Sequence, residues 1–171
     1  MSSSYRLVNE TTVSSTVSSV KVENVFSSDF DIYAITYGNA TSDTNSIDVR
    51  LRYLSTGGSI VSDSNYDQAW LRMRQSGFNQ NRIVDQSYIF FGQIAGSLGG
   101  SAVAYVFSPF KSSCYTWHQF EGSAFSGSED RSFKGVAVLK ESTSLTGFQL
   151  FAGSDNFTSA TIRTFGLRVD S

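Results

Sequence analysis

The sequence predicts an all-β chain, an antiparallel two-sheet sandwich of jelly-roll-like form with an N-terminal arm, on three observations. Apolar and polar residues alternate along most of it, as in SIDVRLRYL, where Ile47, Val49, Leu51 and Tyr53 interleave with Asp48, Arg50 and Arg52. Residues i and i+2 share one face of a strand, so each such run buries one side. Clusters of Gly, Asn, Asp and Ser separate the runs at short intervals, as turns require. No segment has a helical rhythm of comparable clarity, and a sheet with one apolar face needs a second sheet against it.

Residues 1–28 are rich in Ser, Thr and Val, with Val13, Val17, Val20, Val22 and Val25 spaced too irregularly for one uninterrupted strand. This predicts an arm or first strand over 1–25 and a sandwich domain over 26–171. The arm is either a strand that completes the sheet edge of a neighbouring subunit or a mobile tail. Strands are then expected at DIYAITY (31–37), SIDVRLRYL (46–54), YDQAWLRMR (66–74), QSYIFFG (86–92) and SAVAYVF (101–107). Four more follow at SCYTWHQF (113–120), FKGVAVLK (133–140), TGFQLFA (146–152) and ATIRTFGLRV (160–169). Between the second and third, STGGSIVSDS (55–64) reads as a hairpin connection in which Gly57 and Gly58 supply the positive φ of a tight turn. Residues 75–86 lack clean periodicity and are expected to form a loop, as are GSLGG (96–100) and SAFSGSED (123–130). Pro109 should end a strand or make a corner, because it cannot donate a ladder hydrogen bond.

A chain of 171 residues fits one domain that buries roughly 70% of its unfolded surface without a disulfide. Its 14 Phe, 8 Tyr and 2 Trp exceed what one subunit readily hides, which points to subunit contacts. A formal charge of −2 provides no basic field for nucleic acid or an anionic membrane. The opening residues have no basic segment followed by an apolar core, so synthesis in the cytoplasm is expected. No apolar run approaches the roughly 18 residues of a membrane-spanning helix.

No catalytic, cofactor or metal motif emerges, and the chain is read as a non-enzyme without cofactors. His118 should share a strand face with Cys114, Thr116 and Phe120, where it reads as a hydrogen-bonded strand histidine. One His and one Cys are too few for a structural zinc site, and no serine sits in a GxSxG turn. A glycosidase needs two carboxylates about 5 to 10 Å apart. The candidate pairs are Asp29 with Asp31, Asp63 with Asp67, and Glu129 with Asp130, and turn chemistry explains each as well. Arg50 and Arg52 on one strand and Arg72 and Arg74 on the next form a basic stripe if the strands are neighbours. That stripe is either ordinary surface charge paired with Asp48 and Asp67 or a docking site for an acidic partner.

Several segments together resemble a module of virion proteins from tailed phages, notably those of marine and cyanobacterial hosts. They are FSSDFDIYAI from Phe26, SIDVRLRYL ahead of a Gly-Gly turn, YDQAWLRM from Tyr66 and YVFSPFKSSCYT from Tyr105. FKGVAVLKESTSLTGFQLF from Phe133 and the terminal ATIRTFGLRVDS complete the order, with Phe165 where relatives often have Tyr. The resemblance implies a non-enzymatic structural protein, made in the host cytoplasm and located in the virion. A short arm better suits a capsid decoration or cement protein, or a head fibre, than a tail fibre. Homotrimers are common among such proteins, and the expected partners are capsid or other virion proteins. The binding residues expected are Val13, Val17, Val20 and Val22 of the arm and the four arginines Arg50, Arg52, Arg72 and Arg74. One alternative is a tail-fibre tip that stacks host glycans on Tyr115, Trp117 and Phe125, and a second is a carbohydrate-active enzyme using two loop carboxylates.

Overall fold

A computed structural model describes residues 3–44, 46–125, 129–153 and 155–169. The strands run in chain order β1 (Ser3–Val13), β2 (Ser19–Val22), β3 (Ile32–Ser42), β4 (Ile47–Ser55), β5 (Tyr66–Arg74) and β6 (Gly77–Gln86). There follow β7 (Ile89–Ile94), β8 (Gly100–Phe107), β9 (Thr116–Phe125), β10 (Asp130–Leu139), β11 (Leu145–Ala152) and β12 (Phe157–Val169). The only helical piece among the described residues is a single 3-10 turn at Gly96–Leu98. The strands form an eight-stranded sheet, β1-β12-β3-β8-β9-β10-β5-β6, and a four-stranded sheet, β2-β11-β4-β7, all antiparallel. The all-β two-sheet sandwich is therefore present, with β3 beside β12 in one layer and β4 beside β11 in the other.

Nine expected strands occupy these sheets, and four expectations change. Residues 123–125 and 130 of the loop expected at 123–130 belong to β9 and β10, which pair as a hairpin. Residues 75–86 are not a loop but chiefly β6, paired along β5 at the sheet's edge. β6 is mostly exposed, so neither face had to be apolar and no alternation marked it. Residues 55–64 do not close a hairpin, because β4 and β5 lie in different sheets and the segment crosses between layers. The glycines still turn the chain there, Gly57 at φ 90° and Gly58 at φ 76°, and Val61 N donates to Tyr53 O at 2.9 Å. The segment 1–25 contributes two strands of its own chain's sandwich: β1 pairs with β12 and β2 with β11, at one end of each sheet. Residues 1–2, and residues 126–128 of the loop expected at 123–130, lie outside the described residues.

Aromatic rings dominate the layer between the sheets. Tyr33, Tyr53, Tyr66, Phe91, Phe120, Phe133 and Phe148 are fully enclosed, and each buried phenol is hydrogen-bonded, as burial demands. Tyr33 Oη accepts from Ser27 N at 2.8 Å and donates to Ser27 O at 3.1 Å. Tyr37 donates to Gln93 O at 3.2 Å and Tyr66 to Val61 O at 2.9 Å. Tyr53 meets His118 Nδ1 at 3.0 Å. Gly135 admits two of the large rings: a Cβ there would lie 2.5 Å from Trp70 Cβ and 2.6 Å from Phe120 Cζ. The small sheet ends at β7, and Gln68 of the large sheet reaches across to its free edge. Its Oε1 accepts from Phe90 N at 2.7 Å and its Nε2 donates to Tyr88 O at 3.2 Å.

Candidate functional site

The middle strands of the large sheet have one face against the small sheet, and the sheet's other face meets nothing among the described residues. Strand alternation puts Tyr33 and Ile35 of β3 in the core and Ile32 and Ala34 on the outer face. Ladder register then aligns Tyr5, Leu167, Ile32, Phe107, Trp117 and Val138 in one row across β1, β12, β3, β8, β9 and β10. The next row runs Leu7, Phe165, Ala34, Tyr105, Gln119 and Val136, and continues to Ala69 of β5. Trp117 is 55% exposed, Tyr5 54%, Leu7 51% and Val136 49%. Tyr5 sits edge-on to Phe165 at 6.3 Å. A hydrogen bond to Tyr105, with partial desolvation, raises the Tyr5 phenol above its ordinary pKa. These rings cover Ala34, which is buried although it lies on the outer face.

On this face a groove of about 840 Å³ crosses β6, β5, β10, β9 and β8. Ala69, Leu71 and Val136 give it apolar contact surface, and Tyr105, Gln80, Arg82 and Gln119 bring polar tips. Its one carboxylate among the described residues, Glu121, is held by Lys134 at 2.7 Å, a pair exposed enough to add little stability.

His118 lies on the opposite side of β9, buried between the sheets and ringed by Tyr53, Phe91 and Phe120. Burial drives its pKa down to about 3, so the imidazole is neutral at ordinary pH and has no path to a substrate. The carboxylate pairs lie in turns or beside strand starts, each with local partners where contacts are seen. Asp31 meets Lys111 at 2.9 Å, Asp67 meets Lys140 at 2.9 Å and accepts from Asp85 N at 2.9 Å, and Glu129 bridges Arg74 and Arg131, both at 3.3 Å. Among the described residues no group of three or more His, Cys, Asp or Glu side chains gathers at one point.

The four arginines do not form a stripe, because β4 and β5 belong to different sheets. Arg50 and Arg52 stand on the outside of the small sheet, over the rings of Tyr88 at 4.3 Å and Phe151 at 4.4 Å, and Arg52 Nε donates to Ser87 O at 2.9 Å. Arg72 and Arg74 point to the inner side of β5, with Tyr66, Gln68 and Trp70. Nor do Asp48 and Asp67 hydrogen-bond these arginines; Asp48 accepts from Gln93 Nε2 at 2.7 Å. Val13 and Val22 are core residues, and Val17 and Val20 pack partly buried against the core. The arm valines thus serve their own sandwich and leave no apolar strip for a partner. Trp117 and Phe125 both lie on the outer face of β9 but eight residues apart, about 27 Å along a strand, and Tyr115 precedes the strand. The three make no single stacking platform.

No protein-family model and no curated protein matches the chain. Among solved structures it is similar to congerin II bound to lactose and MES, at 12% identity and a TM-score of 0.35, over 84% of this chain and 98% of that one. It is also similar to the CBM2 module of the evolved Dit of Lactobacillus casei BL23 phage J-1, at 9% identity and a TM-score of 0.27, over 90% and 70%. At these identities and TM-scores the likeness assigns no residue and no role.

The outer-face residues Tyr5, Leu7, Leu71 and Val136 were not singled out from the sequence, yet a signal was there. In YDQAWLRMR and FKGVAVLK the positions opposite Trp70 and Ala137 are also apolar, namely Ala69, Leu71, Met73, Val136 and Val138. A strand apolar on both sides is one that expects cover on both.

Proposed function

We propose that this chain is a non-enzymatic structural protein of a tailed-phage virion, a capsid decoration or cement protein or part of a head fibre, that acts by protein–protein binding as a homotrimer. The observation that carries the binding half is the uncovered apolar face of the large sheet. Eight strands spaced about 4.8 Å apart, each with about four outward residues, give a face on the order of 1,000 Å². A stable interface needs about 800 Å² from each partner. Two ion pairs are made within the face, Glu121 to Lys134 and Glu10 to Arg163. The virion half rests on the ordered sequence resemblance over residues 26–171.

Two measurements test this. Native mass measurement should give three copies, and Val136→Lys, which places an ammonium at the middle of the face, should shift the protein to a folded monomer. A wild-type monomer, or a variant as associated as the parent, rejects the interface. Particle reconstruction should find the chain on the capsid or in a head fibre; absence from the particle rejects the virion role.

The groove favours one other reading, a glycan-binding tip, since Tyr105 offers an apolar ring beside Gln119 at one end, and Gln80 and Arg82 bring hydrogen-bonding ends at the other. Saturable glycan-array binding that Tyr105→Ala abolishes, with trimer mass unchanged, would replace capsid attachment by host recognition.

A further inference from the structure

Four strands end the two sheets, β1 and β6 in the large one and β2 and β7 in the small one. An edge strand offers its unpaired N–H and C=O groups to other chains, and proteins blunt such edges by several devices. The β7 edge is held by the Gln68 amide, and β2 is only four residues long. β1 carries Arg6 and Glu10 and is bent by its bulge between Leu7 and Asn9. β6 has none of these protections from Gly77 to Ile83, where it runs in unbroken register with β5. It contains neither Lys nor Pro, and Arg82 is its one charge before Asp85. Phe78 stands on it 71% exposed and Val84 43% exposed.

Register gives the direction of its free groups. The two-residue turn Gln75–Ser76 is closed by the hydrogen-bonded pair Arg74 and Gly77, and antiparallel pairs alternate between bonded and unbonded. Asn79 and Asn81 therefore bond to β5, whereas Phe78, Gln80, Arg82 and Val84 turn their N–H and C=O groups away from it. β6 pairs with no other strand among the described residues. Gln86 Nε2 donates to Val84 O at 3.2 Å, at the end of the row. The side chains of these same residues belong to the outer face, where Gln80 and Arg82 line the groove.

An antiparallel copy of the same strand fits this edge in one register. Outward groups meet outward groups only when even-numbered residues oppose even-numbered ones. A two-fold axis at Asn81 sets Phe78 against Val84 of the second copy and Gln80 against Arg82, each twice by symmetry. An axis at Arg82 would oppose two guanidinium groups, and like charges directly opposite are destabilising. An axis at Gln80 would put Phe78 against Arg82 and leave Val84 beside the turn. We propose that β6 pairs antiparallel with β6 of a second copy about a two-fold axis at Asn81, joining two large sheets edge to edge. Seven residues of ladder are about 24 Å long, and a strip of that length is well below the roughly 800 Å² that a stable interface takes from each partner. One such contact forms only in concentrated protein, and it strengthens where copies are already held together. It uses a different surface from the outer-face interface and does not depend on it.

Val136→Lys, which removes the outer-face contact, isolates this pairing. Its sedimentation should pass from one copy to two as concentration rises. Gln80→Pro removes an N–H that β5 does not use, so the protein should melt with the parent while the pairing is lost. A cysteine on the axis tests the register. In a chain carrying Cys114→Ser, Asn81→Cys should cross-link to its own counterpart under mild oxidation, because the two Cα atoms lie within disulfide reach. Asn79→Cys, about 14 Å from its counterpart, should not. A Val136→Lys chain that stays single at every concentration overturns the proposal, as does pairing unchanged by Gln80→Pro. No cross-link at 81, or equal cross-linking at 79 and 81, overturns it as well. Should Gln80→Pro not fold, or Val136→Lys remain as associated as the parent and so reject the outer face, that cross-link contrast decides by itself.

Discussion

His118 shows how one buried polar side chain makes stability depend on pH. Its folded pKa is depressed to about 3 by burial, whereas the unfolded chain takes up the proton near pH 6.5. Between those values the unfolded state binds more protons, so the contribution is complete above about pH 6.5 and is lost as pH falls toward 3. The slope is about 1.4 kcal/mol per pH unit at most. Urea unfolding at pH 4, 5, 6 and 7 should show this slope in the parent and a shallower one in His118→Gln; parallel profiles would refute it. Tyr53→Phe removes the only hydrogen-bond partner found for that imidazole, its Nε2 having none among the described residues, and should cost about 1–3 kcal/mol, read as a lower urea midpoint. The alternation of CYTWHQF was enough to put His118 on one strand face with Thr116 and Phe120, but with aromatics on both faces it did not say which face is the inner one. Its partner was not legible, because Tyr53 belongs to the other sheet, 65 residues away in sequence, and pairing across layers leaves no local pattern.

Strands that bury one side were legible from period two alone, which is why DIYAITY and TGFQLFA lie within β3 and β11 almost residue for residue. β6 was not, since a strand with solvent on both sides has no reason to alternate. β1 was hidden for a related cause: it is almost wholly exposed apart from Val13, and its bulge between Leu7 and Asn9 shifts the register midway. Which strands were neighbours was also beyond the sequence, so the arginine stripe dissolved once β4 and β5 fell in different sheets. β1 nonetheless shields β12, with Arg163 Nε on Glu10 Oε2 at 2.6 Å. Removing residues 1–13 should bare the β12 edge and lower the melting temperature by about 2–4 °C for every kcal/mol lost, with aggregation growing as protein concentration rises. A truncated chain that melts with the parent and stays dispersed would mean that β1 adds nothing to the sandwich.

At the scale of the whole molecule, the two layers are unequal, eight strands against four, and the surplus of the larger one decides where other molecules can attach. Its back carries the apolar rows. The amide of Gln68 adds a constraint on growth. By occupying Phe90 N and Tyr88 O, it fills the place a further strand would take and plugs the small layer's rim at β7. Polymerisation by strand capture is thereby barred at that rim, and replacing Gln68 with leucine would unplug it, giving fibre-forming chains a port that the native molecule denies them.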